Sequence, residues 1–328
     1  MIARYVAFWD EREAPESLAL VRILVPLALL WDFGSALVAG LLPDLWAPPP
    51  AGMGWAQLSN PAPHSVRWFG ASAGTAWFSI VAAVLSASLV CAGLWLRPAA
   101  FLLAWSSAEL SHLAPDGDRA IDQLLRIVVL VLAFSRADAR FSVAAWWRRR
   151  AGRAPIELIP AWPRRLLFAQ LVWVYFSAAH NRGGIAWWPQ GQFAAIAKVL
   201  SDPHYARFTP GWTADIYPLT QLATALTMAF ELGSPLLFVL AWLDGTPGSG
   251  SAVGAFVRRH HVKLYYLALG AALHLGIALT LRLGVFSFGI LAIYPVFLRP
   301  GELTALVESL RRRLRPRRAG DRDLLSPK

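Results

Sequence analysis

The sequence predicts an all-α integral membrane protein, a bundle of about eight transmembrane helices. Three observations predict it. Hydrophobic residues make up 56% of the 328-residue chain and charged residues only 16%, with a mean hydropathy of +0.46. A soluble domain is about 45–50% apolar and about a quarter charged. Apolar runs of roughly 20 residues recur, the length that crosses a hydrocarbon core. The arginines also gather in particular loops, so the formal net charge of +11 reads as membrane topology and not as affinity for nucleic acid. Nearly the whole chain is needed for the spans, which leaves no room for a second soluble domain of ordinary size.

Residues 1–16 read as an amphipathic segment on the membrane surface. Their Asp10, Glu11, Glu13 and Glu16 against Arg4 and Arg12 have the wrong sign for the start of a secretory signal. Residues 17–300 form the transmembrane domain and 301–328 a basic cytoplasmic tail. Span one covers about 17–38 and contains Arg22 and Asp32. A proline-rich, irregular stretch follows, then span two at about 72–96. A tight turn at Arg97-Pro98 leads into span three, about 99–113, with Glu109 and His112. The turn at 114–118 reverses the chain into span four, about 119–135. Span five, about 164–184, ends in His180-Asn181-Arg182. Beyond it, Phe193, Ile196, Ala197 and Leu200 make an apolar stripe suited to a short interfacial helix. Span six covers about 215–243 and holds Glu231 and Pro235. Spans seven and eight, about 264–281 and 284–299, nearly abut at Arg282. The glycine- and serine-containing loop between spans six and seven reads as flexible.

Orientation follows from charge. With the N-terminus in the cytoplasm, the inward segments collect 23 of the 31 lysines and arginines and the outward segments six. That bias predicts N-in, C-in topology and an even number of spans. It places the end of span five and the interfacial helix after it on the extracytoplasmic side. The 16 tryptophans suit belts at the two interfaces. Cys91, the single cysteine, excludes an internal disulfide and a CxxC motif.

Polar side chains at membrane depth cost several kcal/mol unless paired or placed against water, so they mark candidate sites. His180, Asn181 and Arg182 are the leading group. Glu231 and His274 lie deep in spans six and seven without partners nearby in sequence, and each is satisfied by the other, by a neighbour, or by a shared cavity with His180. Asp122 and Arg126 stand at i, i+4 on one face and read as a self-satisfied structural pair. Arg22 is expected to pair with Asp122 or Glu109 across helices, and Asp32 to lie at the interface. No metal site is predicted, because neither H-x3-H nor HExxH spacing occurs. The tail reads as topogenic charge or as a holder of anionic lipid headgroups.

Several motifs in order resemble one family. Tyr175-Phe176-Ser177-Ala178-Ala179-His180-Asn181-Arg182, followed by Trp188-Pro189-Gln190-Gly191, is similar to its span-five pattern Tyr-(Phe/Leu)-x-Ala-Gly-x-x-Lys-Leu, then Trp and Gly. Leu18-Ala19-Leu20-Val21-Arg22, Phe134 with Phe141-Ser142-Val143, Glu231-Leu232 with Ser234-Pro235, His274, and Phe286-Ser287-Phe288-Gly289 resemble its other blocks. The family is the HTTM (horizontally transferred transmembrane) family, bacterial relatives of vitamin K-dependent gamma-carboxylase. The resemblance implies an integral protein of the bacterial cytoplasmic membrane and a quinone-type ligand. It also implies membrane lipids, a secreted peptide or a neighbouring membrane protein as partners. In the carboxylase the span-five lysine deprotonates vitamin K hydroquinone. Here Arg182 takes that place, and a guanidinium with a pKa above about 12 is no general base near neutral pH. His180, two residues earlier, lies about 200° away around the helix. The carboxylase's Asn-His pair at the start of span four aligns with Ala120 and Ile121, and its soluble luminal domain has no counterpart in these residues. The resemblance thus implies a non-carboxylating homologue with Tyr175, His180, Arg182, Trp188, Glu231 and His274 around an extracytoplasmic-facing cavity. It handles a quinone, lipid or secreted peptide as an accessory or maturation factor. A carboxylase or epoxidase with a substituted base, and a transporter or structural partner, are the alternatives.

Overall fold

The computed structural model describes residues 9–54, 62–245 and 252–299, together with Val6, Gly301, Glu302 and Ala305. The predicted basic tail lies almost wholly outside the described residues, as do much of the N-terminal segment and residues 246–251 of the loop before span seven. The described residues are mostly helical. They contain α1 (Glu16–Val38), α2 (Leu42–Trp46), α3 (His64–Phe69), α4 (Ala73–Ala92), α5 (Leu96–Leu113), α6 (Ala120–Phe134) and α7 (Val143–Arg150). The second half holds α8 (Trp162–His180), α9 (Ala195–Leu200), α10 (Tyr217–Leu232), α11 (Leu236–Gly245), α12 (Ala252–Arg259), α13 (Val262–Thr280) and α14 (Phe286–Ile293).

Three of these helices, α1, α4 and α13, are long and apolar enough to cross a membrane. The broken pair α10–α11, bent by 65° at Gly233–Pro235, would be a fourth if it counts as one span. Proline at the break cannot donate to the helix ladder, which accounts for the bend. The other predicted spans are present as helices but are shorter or less apolar. Exposed Leu24, Leu27 and Trp31 on α1, and Trp77, Phe78, Val81 and Leu85 on α4, give these helices large apolar outer faces. Such faces mark contact with lipid or protein rather than water.

The helices gather in two groups. α1, α4, α5 and α6 pack together, α10 and α13 pack with each other, and α8 joins α10 to α6. α14 links the groups by packing on α1, α6 and α13. Helix ends follow ordinary capping chemistry. Ser72 accepts from Thr75 N–H to start α4, and Ser142 accepts from Ala145 N–H to start α7. Gly93 ends α4 in the left-handed region at φ 67°, where a side chain would also strike Ser142 and the guanidinium of Arg22.

Several expected pairings are replaced by others. Arg22 is fully buried and meets neither Asp122 nor Glu109. It donates to main-chain carbonyls of Val90 (2.9 Å), Ala137 (3.2 Å) and Phe141 (2.5 Å), and also to that of Cys91. Two of these carbonyls end α4, where a cation meets the negative end of the helix dipole. Glu109 instead caps α3, accepting from the main-chain N–H of His64 (3.2 Å) and Ser65 (2.8 Å) and from the Ser65 hydroxyl (2.7 Å). Asp122 and Arg126 do not pair with each other. Asp122 is the third residue of α6 and turns back to accept from Arg119, which also binds Asp32 at 2.7 Å. Arg126 reaches past that turn to grip both oxygens of Asp118 at 2.8 Å. The preceding loop supplies partners that helical spacing alone does not reveal.

In the N-terminal segment Val6, Trp9 and Asp10 are helical, and the chain after them is extended. Arg12–Glu13 forms a short strand β1, antiparallel to β2 (Ile159–Pro160). Glu13 is buried and accepts two hydrogen bonds from Arg164, both 2.7 Å. This bidentate, buried pair ties the end of the segment to the start of α8.

Replacing Arg22 with leucine should lower the unfolding free energy in detergent by about 3 kcal/mol or more, since each buried carbonyl left without a donor costs about 1–3 kcal/mol. Arg22→Lys should recover only part of that loss, because an ammonium cannot span the same acceptors. Thermal or denaturant unfolding of the purified variants measures both.

Candidate functional site

The end of α8 is fixed by a change of partner. Asn181 closes the helix, its side-chain amide donating to Ser177 O at 2.8 Å. Arg182 lies just past that end and turns toward α10. Its guanidinium donates to Glu231 Oε1 at 2.8 Å and stands 2.6 Å from Oε2. The Trp187 ring stacks over it, 3.9 Å from centroid to guanidinium carbon, and the Trp188 indole N–H donates to Arg182 O at 3.3 Å. A charged pair shielded by an indole face and lying largely out of water is an ordinary way to keep a guanidinium at depth.

A second polar group lies among α8, α13 and the turn after α14. Tyr175 OH stands 2.8 Å from His274 Nε2 and 2.9 Å from Tyr294 OH. Tyr175 and His274 are 4% and 5% exposed, so these bonds form out of solvent. The opposite nitrogen, His274 Nδ1, is buried and has no hydrogen-bond partner among the described residues. Phe230 packs edge-on against Tyr175 at 5.0 Å, and its carbonyl accepts from Tyr266 OH. Gly270 makes this approach feasible, because a Cβ there would collide with Phe230 and Tyr294. Glu231 follows Phe230 in the chain, so α10 contributes to both groups.

The expected site residues therefore divide. Tyr175 and His274 meet directly, Arg182 and Glu231 meet directly, and Trp188 braces Arg182. His180 stands apart, exposed and stacked on Phe176 with ring centroids 6.0 Å apart, and Asn181 is exposed. Helical phase explains this, since Tyr175 and Ala179 lie on the buried face of α8 and His180 does not, while Arg182 turns in beyond the helix end. Three contributors were not singled out from the sequence: Trp187, Tyr266 and Tyr294. A tyrosine within an apolar run needs a partner for its hydroxyl, and that was the available signal for the two tyrosines.

The chemistry open to this arrangement is hydrogen bonding and proton sharing among phenols and an imidazole. Arg182 is occupied by a carboxylate of the protein itself, so a ligand anion must displace Glu231 to reach it. No protein-family model, curated protein or solved structure matches this chain.

Arg182 and Glu231 should behave as one unit in unfolding experiments. Arg182→Met and Glu231→Gln should each cost about 2–4 kcal/mol, because each leaves its partner buried and uncompensated. The double variant should cost less than the two together, with a coupling of about 1–3 kcal/mol. Strictly additive losses would show that the pair is not coupled.

Proposed function

We propose that the chain is a polytopic membrane protein of the HTTM type, residing in the bacterial cytoplasmic membrane. Eight crossing segments place both ends in the cytoplasm, and the interior binds a quinone-type ligand without carboxylating a substrate. The observation that carries this reading is the buried row Tyr294–Tyr175–His274 with an unfilled hydrogen-bonding position at His274 Nδ1. A quinone or hydroquinone presents an oxygen at the edge of an apolar ring. It satisfies such a nitrogen while its ring packs among aromatic side chains.

The topology rests on the 23-to-6 bias of basic residues and on the helices found at each predicted span. The non-carboxylating character rests on two placements. Arg182 is neutralised by Glu231 and is too basic to take a proton, and His180 faces outward away from the Tyr175–His274 pair. Transport is the weaker reading. Among the described residues α10–α11 is the one bent helix pair, whereas alternating-access transporters typically interrupt corresponding helices in both halves. A secreted peptide or neighbouring membrane protein as partner rests on the family resemblance alone.

Binding of a short-chain menaquinone to the purified protein, followed by quenching of its tryptophan fluorescence, tests the reading. His274→Phe and Tyr175→Phe should each weaken binding by about tenfold or more, the equivalent of a lost hydrogen bond of about 1.4 kcal/mol. Unchanged affinity in both variants refutes the assignment. Incubation with vitamin K hydroquinone, bicarbonate and a glutamate-containing peptide should yield no epoxide, and epoxide formation would revive the carboxylase alternative.

A further inference from the structure

The short helix α7 carries a surface remote in sequence from Tyr175 and His274. Its inner side is fastened to the bundle. Ser142 caps its start, and the Phe141 carbonyl just before it accepts from buried Arg22. Ala145 is buried, and Arg148 donates to the Asp138 carbonyl at 2.8 Å and to its carboxylate at 3.3 Å. At about 100° per residue, Arg149, Trp146, Arg150 and Trp147 then share an arc of about 160° on the other side. All four are exposed, the tryptophans by 47% and 50%. The Arg150 guanidinium stands over the Trp146 ring, 5.5 Å from its centroid, so charge and ring are presented together.

The start of α5 extends this surface. Gly93, in the turn before it, lies so close to Ser142 that a Cβ there would strike the serine side chain. Arg97 follows in the first turn of α5 and is exposed. Phe101 stands one turn further along the same face, is exposed, and packs edge-on against exposed Phe134 at 5.5 Å. Cations therefore give way to an apolar strip within one helical turn. Arg97, Arg149 and Arg150 make no ion pair among the described residues, and Asp138 already holds Arg148. The negative end of α7 favours arginines in its last turn. It accounts neither for the tryptophans beside them nor for Arg97 on another helix.

From this juxtaposition of unpaired guanidiniums, exposed indoles and an adjoining apolar strip, we propose that α7 and the start of α5 dock an anionic phospholipid. The arginines take its phosphate, which a guanidinium fork matches in shape and charge. Trp146 and Trp147 lie at headgroup level, where indoles are favoured. The acyl chains run along Phe101 and Phe134. Phosphatidylcholine brings the same chains, but its choline cancels the charge that the arginines seek. An acidic protein or a nucleic acid meets the arginines and leaves the phenylalanines uncovered. The proposal rests on membrane placement and is independent of the quinone reading.

Native mass spectrometry of the full chain in a neutral detergent tests this, with phosphatidylglycerol and phosphatidylcholine of equal chain length at equal concentration. Phosphatidylglycerol should be retained about tenfold more, the discrimination of a charge-assisted contact. Arg149→Gln with Arg150→Gln breaks no ion pair and should reduce that preference to about twofold or less. Lys198→Gln with Arg282→Gln removes the same charge from exposed positions elsewhere and should leave the preference intact. Equal retention of the two lipids overturns the proposal. So does a preference that survives the first double variant, or one that both double variants lower alike. Polyglutamate displacing phosphatidylglycerol at equal charge overturns it in favour of an acidic protein partner. Retention of the chain in membranes after an alkaline carbonate wash checks the placement separately, so a missing preference in a retained chain counts against this surface alone.

Discussion

Burying a charge among apolar helices is the constraint on which much of this structure depends, and Arg22 shows how it is met. Its guanidinium is fully buried, and main-chain carbonyls from the end of α4 and the loop before α7 receive its hydrogen bonds. A charge in low dielectric is tolerated when dipoles surround it, and a helix C-terminus supplies them ready oriented. The same side chain therefore fixes the end of α4, the position of α1 and the path into α7. Gly93 is needed at that point because anything larger would occupy the space of the guanidinium.

The remaining buried charges obey the same rule with different partners. Glu109 spends its oxygens on the first amides of α3, Glu13 on Arg164, Glu231 on Arg182 and Lys263 on Glu302. Each of these contacts joins elements far apart in sequence. They act less as sources of stability than as fixtures of register, because a displaced helix would strand a charge. His274 differs. One nitrogen is satisfied by Tyr175, and the other is buried without a hydrogen-bond partner among the described residues.

The helical class and the position of nearly every long helix were legible in the sequence, because apolar length and turn residues are local properties. α1 begins and ends within a residue or two of the expected span, while the turn between α4 and α5 falls at Gly93–Trp95, before the expected Arg97-Pro98, which lie in the first turn of α5. The candidate site was legible only as an inventory. Tyr175, Arg182, Glu231 and His274 could be named as polar residues at depth, but their pairing could not be deduced. The expected Asp122–Arg126 pair fails for the same reason. Spacing of i, i+4 permits that contact, while Asp118 and Arg119 in the adjoining turn offer shorter, two-pronged alternatives.

The stretch at the end of α8 shows where the division falls. Composition, charge bias and the order of polar residues were enough to mark His180, Asn181 and Arg182 as anomalous for an apolar helix. Only the packing of α8 against α10 and α13 decided which of them matter to the interior. Arg182 turns in to Glu231, His180 turns out onto Phe176, and Tyr175 one turn below meets His274. Sequence determines which groups must find partners, because the cost of burial belongs to each residue. Tertiary structure decides which partners they find, because a hydrogen bond depends on distance and direction between chains of atoms that the sequence leaves far apart.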